Sequence, residues 1–132
     1  MIVISDTSPI TNLAAINQLD LLRQLYKTII IPVAVYTEMV AAGKEVPGAV
    51  EVQTLAWIQT QSVADTKSVI SIQSDRDDID IGEAEAIVLA IELRADLVLM
   101  DERRGRSLAI DLSLNVTGLL GALLQAKRNG SI

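Results

Sequence analysis

Ile2-Val3-Ile4-Ser5-Asp6-Thr7-Ser8-Pro9 is the stretch that decides the fold: three consecutive apolar residues stop on a carboxylate, and Ser-Pro turns the backbone at once. An unbroken apolar run of this kind suits a strand covered on both faces, where alternation with polar residues is not needed. Asp6 then stands at the carboxyl edge of a parallel sheet, and in open α/β sheets ligands bind in the crevice beyond that edge. Leu97-Val98-Leu99-Met100-Asp101 repeats the arrangement. A single Asp after a strand is accounted for by turn and cap chemistry, with Pro9 suited to a first helical turn. Two strands that both end on Asp point instead to a shared site.

Outward from these strands, apolar runs alternate with helical patterns in the order β-α-α-β-α-α-β-α-β-α-β-α. That order predicts one α/β domain over residues 1–132 with a central, mostly parallel sheet flanked by helices. Thr28 to Ile31 reads as a strand closed by Pro32, followed by a helix from Val33 to Ala42 that stops at Gly43. Glu38 lies on the small-residue face of that helix, with Ala34 and Ala42 one turn to either side. Residues 48–56 read as a short helix, and Trp57 to Val63 alternates like a short edge strand. Ala64 to Asp80 carries little periodic signal and is assigned no element, and Asp75-Arg76-Asp77-Asp78 reads as a charge cluster in a solvated loop.

Gly82 to Leu93 is the clearest helix. Asp80 with Glu83 three residues on has the form of a capping box. Glu83 also shares a face with Ile87 and Ala90, so its carboxylate points along the buried side of the helix, and no Lys or Arg lies within a turn of it. Glu85, two residues on, is a nearby alternative to Glu83. Arg103, Arg104 and Arg106 open the helix after Asp101, where they are placed either to hold substrate phosphates or to pair with Glu102 and nearby acids.

Composition narrows the chemistry further. There is no Cys and no His, which removes disulfides, thiolate nucleophiles, thiolate zinc sites and the Ser-His-Asp triad. There is no Phe, one Trp and two Tyr, so the core is aliphatic and base stacking has few donors. No apolar run approaches the roughly 20 residues of a membrane-spanning helix, no targeting leader opens the chain, and a cytoplasmic protein is expected. The net charge of −6 counts against nucleic-acid binding through the whole surface, although four acids assigned to one site leave 13 acids against 11 bases elsewhere.

If Glu38 and Glu83 lean over the strand ends that carry Asp6 and Asp101, four carboxylates meet. Each raises the pKa of the others, and a hard divalent cation resolves the repulsion; oxygen ligands without His or Cys select Mg²⁺ or Mn²⁺. Hydrolysis of a phosphodiester then needs no protein nucleophile.

Asp6 in Asp-Thr-Ser-Pro, Glu38 in Tyr-Thr-Glu-Met, Glu83 in Gly-Glu-Ala-Glu-Ala-Ile and Asp101 in Met-Asp-Glu-Arg-Arg-Gly-Arg together resemble a PIN domain, over nearly the whole chain. The resemblance implies a PIN-like, Rossmann-like three-layer sandwich and a Mg²⁺- or Mn²⁺-dependent ribonuclease, related to VapC-type toxins of toxin–antitoxin pairs. By position it makes Asp6, Glu38, Glu83 and Asp101 the acidic quartet, with Asp6, Glu83 and Asp101 holding metal and Ser8 and Thr117 lending hydroxyls. It further implies RNA as substrate, an antitoxin protein as partner and a homodimer. Glu83 stands where many PIN domains have Asp, and relatives commonly run on past the position of Ile132. The alternative is a catalytically inactive PIN-fold module that acts through protein partners. A phospho-acceptor receiver domain fits less well, because Asp6 stands alone and no Lys follows Thr117 until Lys127.

Overall fold

The computed structural model describes residues 1–41 and 45–130. Its elements are β1 (Val3–Ser5), α1 (Thr7–Ala15), α2 (Asp20–Tyr26), β2 (Ile29–Pro32), α3 (Val33–Ala41), α4 (Glu51–Thr54), β3 (Ile58–Gln61), α5 (Thr66–Asp75), α6 (Ile81–Leu93), β4 (Leu97–Leu99), α7 (Arg103–Asp111), β5 (Val116–Thr117) and α8 (Leu119–Arg128). The expected helix end at Ala42 and stop at Gly43 lie outside the described residues, as does Ile132.

All strand pairings are parallel, in the order β3-β2-β1-β4-β5. β3 is an edge strand, as its alternating sequence predicts. The order reverses at the β1–β4 neighbour pair, where Ser5 sits opposite Leu99. In a doubly wound sheet this switch point opens a crevice, because the loops leaving the two strands run to opposite sides. Asp6 and Asp101 follow those two strands.

Successive residues of the buried strands face opposite sides, as a two-residue period requires. Val3, Ile29, Ile31 and Leu99 pack with Ile10, Leu13, Leu22, Val35 and Met39 from α1, α2 and α3. Ile4, Val98 and Met100 pack on the other side with Ile87, Leu89 and Ala90 of α6 and Ala109 of α7. The result is the three-layer sandwich expected from the strand runs.

One element differs from expectation. Residues 66–75, assigned no element from the sequence, form α5, whose N-cap Asp65 accepts a hydrogen bond from the Ser68 amide at 3.1 Å. Val69 packs with Ile79, Ala84 and Val88 against the outer side of α6. α5 is a polar helix with few buried residues, so its periodic signal is weak and tertiary packing supplies what the sequence pattern lacks. The two amides that lead into it, Ala64 and Asp65, donate to the Glu92 carboxylate of α6 at 3.1 and 2.6 Å.

Candidate active site

Asp6 is the N-cap of α1, and its amide donates to the Leu99 carbonyl at 2.9 Å, which ties the end of β1 to β4. Its side chain makes no capping hydrogen bond and is only 4% exposed. Asp6, Thr7, Ser8, Glu38 and Glu83 line a cleft of about 420 Å³ at the switch point. Burial pushes the Asp6 carboxyl up to about 7, partly offset by the Thr7 amide and then reinforced by the charges of Asp80, Glu83 and Glu38.

Glu83 is 3% exposed, and its two oxygens have different surroundings. The full capping box forms: the Glu83 amide donates to Asp80 Oδ1 at 2.8 Å, and Glu83 Oε1 accepts from the Asp80 amide at 3.1 Å. Glu83 Oε2 is buried with no hydrogen-bond partner. Burial raises the Glu83 carboxyl, opposed by the Asp80 amide; the charges of Asp80 and Glu102 raise it further and Arg104 lowers it. One oxygen thus serves the cap, and the other is left without a hydrogen bond. A glycine makes the arrangement possible: a Cβ on Gly105 would run into Glu83 Oε2 and stand 2.6 Å from Met100 Sδ. Gly105 was not singled out in the sequence, although a glycine inside a helix is itself a sign of close approach.

Glu38 reaches the cleft from α3 and is steadied there by the Thr7 hydroxyl, which donates to Glu38 Oε2 at 3.1 Å. Thr7, Asp78, Asp80 and Glu102 join the lining, although the sequence pattern marks Asp80 only as a helix cap, Asp78 and Glu102 only as surface charges, and Thr7 not at all. Asp101 is at the same sheet edge but faces elsewhere: Oδ1 accepts from the Leu119 amide at 2.6 Å, where α8 begins, and Oδ2 from Asn12 Nδ2 at 3.5 Å. Of the two hydroxyls expected near the site, Ser8 lines the cleft, while Thr117 lies against Gly121 of α8. Arg104 lines the cleft; Arg103 and Arg106 line a different one.

The model of the DUF3368 PIN-domain family matches residues 2–132. The chain belongs to this PIN-domain family. Its fold is similar to a PilT N-terminus domain protein from the hyperthermophilic archaeon Sulfolobus solfataricus P2, with a TM-score of 0.70, 16% identity, and 96% of this chain and 93% of that one covered. At that identity the likeness is one of fold. No curated protein matches the chain in sequence. PIN domains form a nuclease superfamily.

Among the described residues no three acidic side chains stand together as ligands for one ion. A closed protein cage of the Ca²⁺ type is therefore not present there. The donors do fit a water-rich Mg²⁺ or Mn²⁺ ion, which takes one or two carboxylates and keeps most of its waters. Among the described residues, Asp6, a carboxyl raised by burial, and Glu83 Oε2, a buried oxygen without a partner, are groups that a cation would satisfy.

Glu85 is occupied elsewhere. Its Oε1 accepts from the Ala34 amide at 3.0 Å and so caps the first turn of α3. Glu85→Ala is expected to cost roughly 1 kcal/mol of stability, the usual worth of a lost helix cap, and to leave divalent-ion affinity as it was. Chemical denaturation beside a Mn²⁺ titration checks this; a large loss of ion binding would place Glu85, not Glu83, at the site.

Proposed function

We propose that this PIN domain is a Mg²⁺- or Mn²⁺-dependent endoribonuclease that hydrolyses RNA phosphodiester bonds in the acidic cleft at the β1–β4 switch point. The observation that carries the reading is Glu83 Oε2, a buried carboxylate oxygen without a partner beside the equally buried Asp6. An unsatisfied charge of this kind is costly, and a site that retains it is organised for something that binds there.

Asp6 and Glu83 would hold the ion, which supplies a water of lowered pKa and offsets charge on the phosphodiester. Glu38, held by the Thr7 hydroxyl, is the third acid of the cleft and would accept a proton or orient water. Arg104 brings a fixed positive fork to the same cleft and is suited to a phosphate oxygen. Asp101 keeps α8 docked and acts on the site through the position of the β4 end.

The test is cleavage of a mixed single-stranded RNA pool with Mg²⁺ or Mn²⁺, beside Asp6→Asn and Glu83→Gln. Each variant is expected to lose at least 100-fold in rate, and chelator to stop the wild type. A folded wild type that binds Mn²⁺ without cleaving any RNA of the pool would support the second reading, a PIN module acting through protein partners. The engagement of Asp101 with α8 favours that reading. A toxin role in the cytoplasm, with an antitoxin protein as partner and a homodimer as the working form, rests on the resemblance to VapC-type toxins. Growth arrest on expression that disappears in Asp6→Asn, together with the mass of the purified protein in solution, tests it.

A further inference from the structure

We propose that α7 carries the track of a single-stranded nucleic acid, with Arg104 holding a phosphate in the acidic cleft and Arg103, Arg106 and Ser107 holding a neighbouring phosphate on the helix's outer face. The inference deepens the nuclease reading and rests on it for the identity of the strand.

Positions 103, 106, 107 and 110 have i, i+3, i+4 and i+7 spacing, which puts them on one stripe of α7. Arg103, Arg106, Ser107 and Ile110 line a second cleft of about 450 Å³, and no acid is in that lining. Gly105 and Ala109 form the buried stripe of the same helix, and Arg104 faces the acidic cleft between the two. α7 thus separates a hollow lined by acids and one arginine from a hollow lined by arginines and no acid.

Arg104 acts on Glu83 across the acidic cleft, but none of these three arginines is held in a close ion pair among the described residues. Arg23 and Arg76 are paired with Asp20 and Asp78. Arg103, Arg104 and Arg106 are exposed and make no ion pair among the described residues. In a chain of net charge −6 most of the surface repels a polyanion, so three adjacent unpaired guanidiniums mark where one can lie. The guanidinium fork matches phosphate in two parallel hydrogen bonds, and the Ser107 hydroxyl adds a donor. A single strand can bend over α7 into a cleft whose floor acid is 4% exposed, whereas a duplex is too stiff to follow. Neither cleft is lined by Trp or Tyr, so the track reads backbone charge and tolerates any sequence.

The test is binding of fluorescent single-stranded 12-nucleotide RNAs of unrelated sequence to the full chain, in chelator, followed by anisotropy between 50 and 200 mM salt. Each phosphate contact removed from a single strand lowers the slope of log K against log salt by about 0.7. Arg103→Ala with Arg106→Ala is expected to lower it by more than 1 for every sequence, and Arg104→Ala by about 0.7. Arg103→Lys with Arg106→Lys keeps most of the slope, and Lys67→Ala, at a residue that lines neither cleft, keeps all of it. With Mn²⁺ present, the double alanine variant is expected to lose at least tenfold of the preference, in kcat/KM, for the 12-mer over a dinucleotide. A wild-type slope in the double alanine variant, an equal loss in Lys67→Ala, or no RNA binding at 50 mM salt overturns the track. A lowered slope in a protein that cleaves nothing leaves the track standing and removes the nuclease reading instead.

Discussion

Asp6→Asn is expected to abolish RNA cleavage and, in the same protein, to raise stability towards unfolding at pH 8. The Asp6 carboxyl titrates at about 7 in the folded chain against 3.8 in the unfolded one. Between those values the folded state holds more protons, so stability falls as pH rises. The favourable contribution of neutral Asp6 is complete below about pH 4 and lost by the time the pH has passed 7. At 1.36 kcal/mol per pKa unit, the difference amounts to roughly 4 kcal/mol for this nearly fully buried group. Glu83, also raised, acts in the same direction. Asn mimics the neutral form at every pH, so its advantage is small at pH 3 to 4 and largest above pH 7. Urea denaturation at pH 4, 6 and 8 checks the trend; a stability that rises with pH in the wild type but not in Asp6→Asn would overturn it.

A divalent ion should remove most of that pH dependence, because it supplies the compensation that protonation otherwise provides. Ligand binding stabilises the fold by RT ln(1 + [L]/Kd), so millimolar Mn²⁺ is expected to raise the wild-type melting temperature at pH 8 far more than at pH 5. Neither Asp6→Asn nor Glu83→Gln should show the effect. Cleavage by the wild type should likewise increase as pH rises through 7, where Asp6 becomes free to bind the ion.

The second large effect is expected from Gly105→Val. On propensity alone, replacing a helical glycine is favourable, and Gly105→Ala would gain about 1 kcal/mol. Packing opposes this and wins, since a Cβ at Gly105 meets Met100 Sδ at 2.6 Å and overlaps Glu83 Oε2. Overfilling a packed site typically costs 1–3 kcal/mol, and Val, with two further methyl groups, falls at the upper end. A melting temperature roughly 5–10 °C lower than wild type is expected for Val, with a smaller fall for Ala. Divalent-ion affinity should fall more than stability does, because Glu83 is the group displaced. Calorimetry with and without Mn²⁺ checks both, and unchanged ion affinity in a destabilised protein would remove Glu83 from the ion site.

The apolar runs of β1, β2 and β4 and the capping box of α6 were legible because each is a local pattern: strand burial on both faces leaves no polar alternation, and a cap is set by residues three apart. α5 was not legible, because Lys67, Ser68, Ser71 and Gln73 carry little apolar periodicity and the helix is supported by packing of Val69 against α6. Asp6 ends a strand, Glu38 and Glu83 lie on helix faces, and the resemblance to PIN domains joins them; the structure brings these three to one cleft. Asp101 ends a strand as Asp6 does, but its carboxylate is bonded to the first amide of α8, a partner 18 residues away that no local pattern announces.

By itself the sequence determined the alternation of strands and helices, the oxygen-only chemistry that follows from having neither His nor Cys, and the acids at the strand ends. These depend on neighbours within a few residues or on composition alone. Only the tertiary structure decided that Glu83 rather than Glu85 faces the cleft, that Gly105 makes room for it, and that Arg104 parts company with Arg103 and Arg106. Those outcomes depend on which side of a helix meets which hollow, and packing between distant segments sets that.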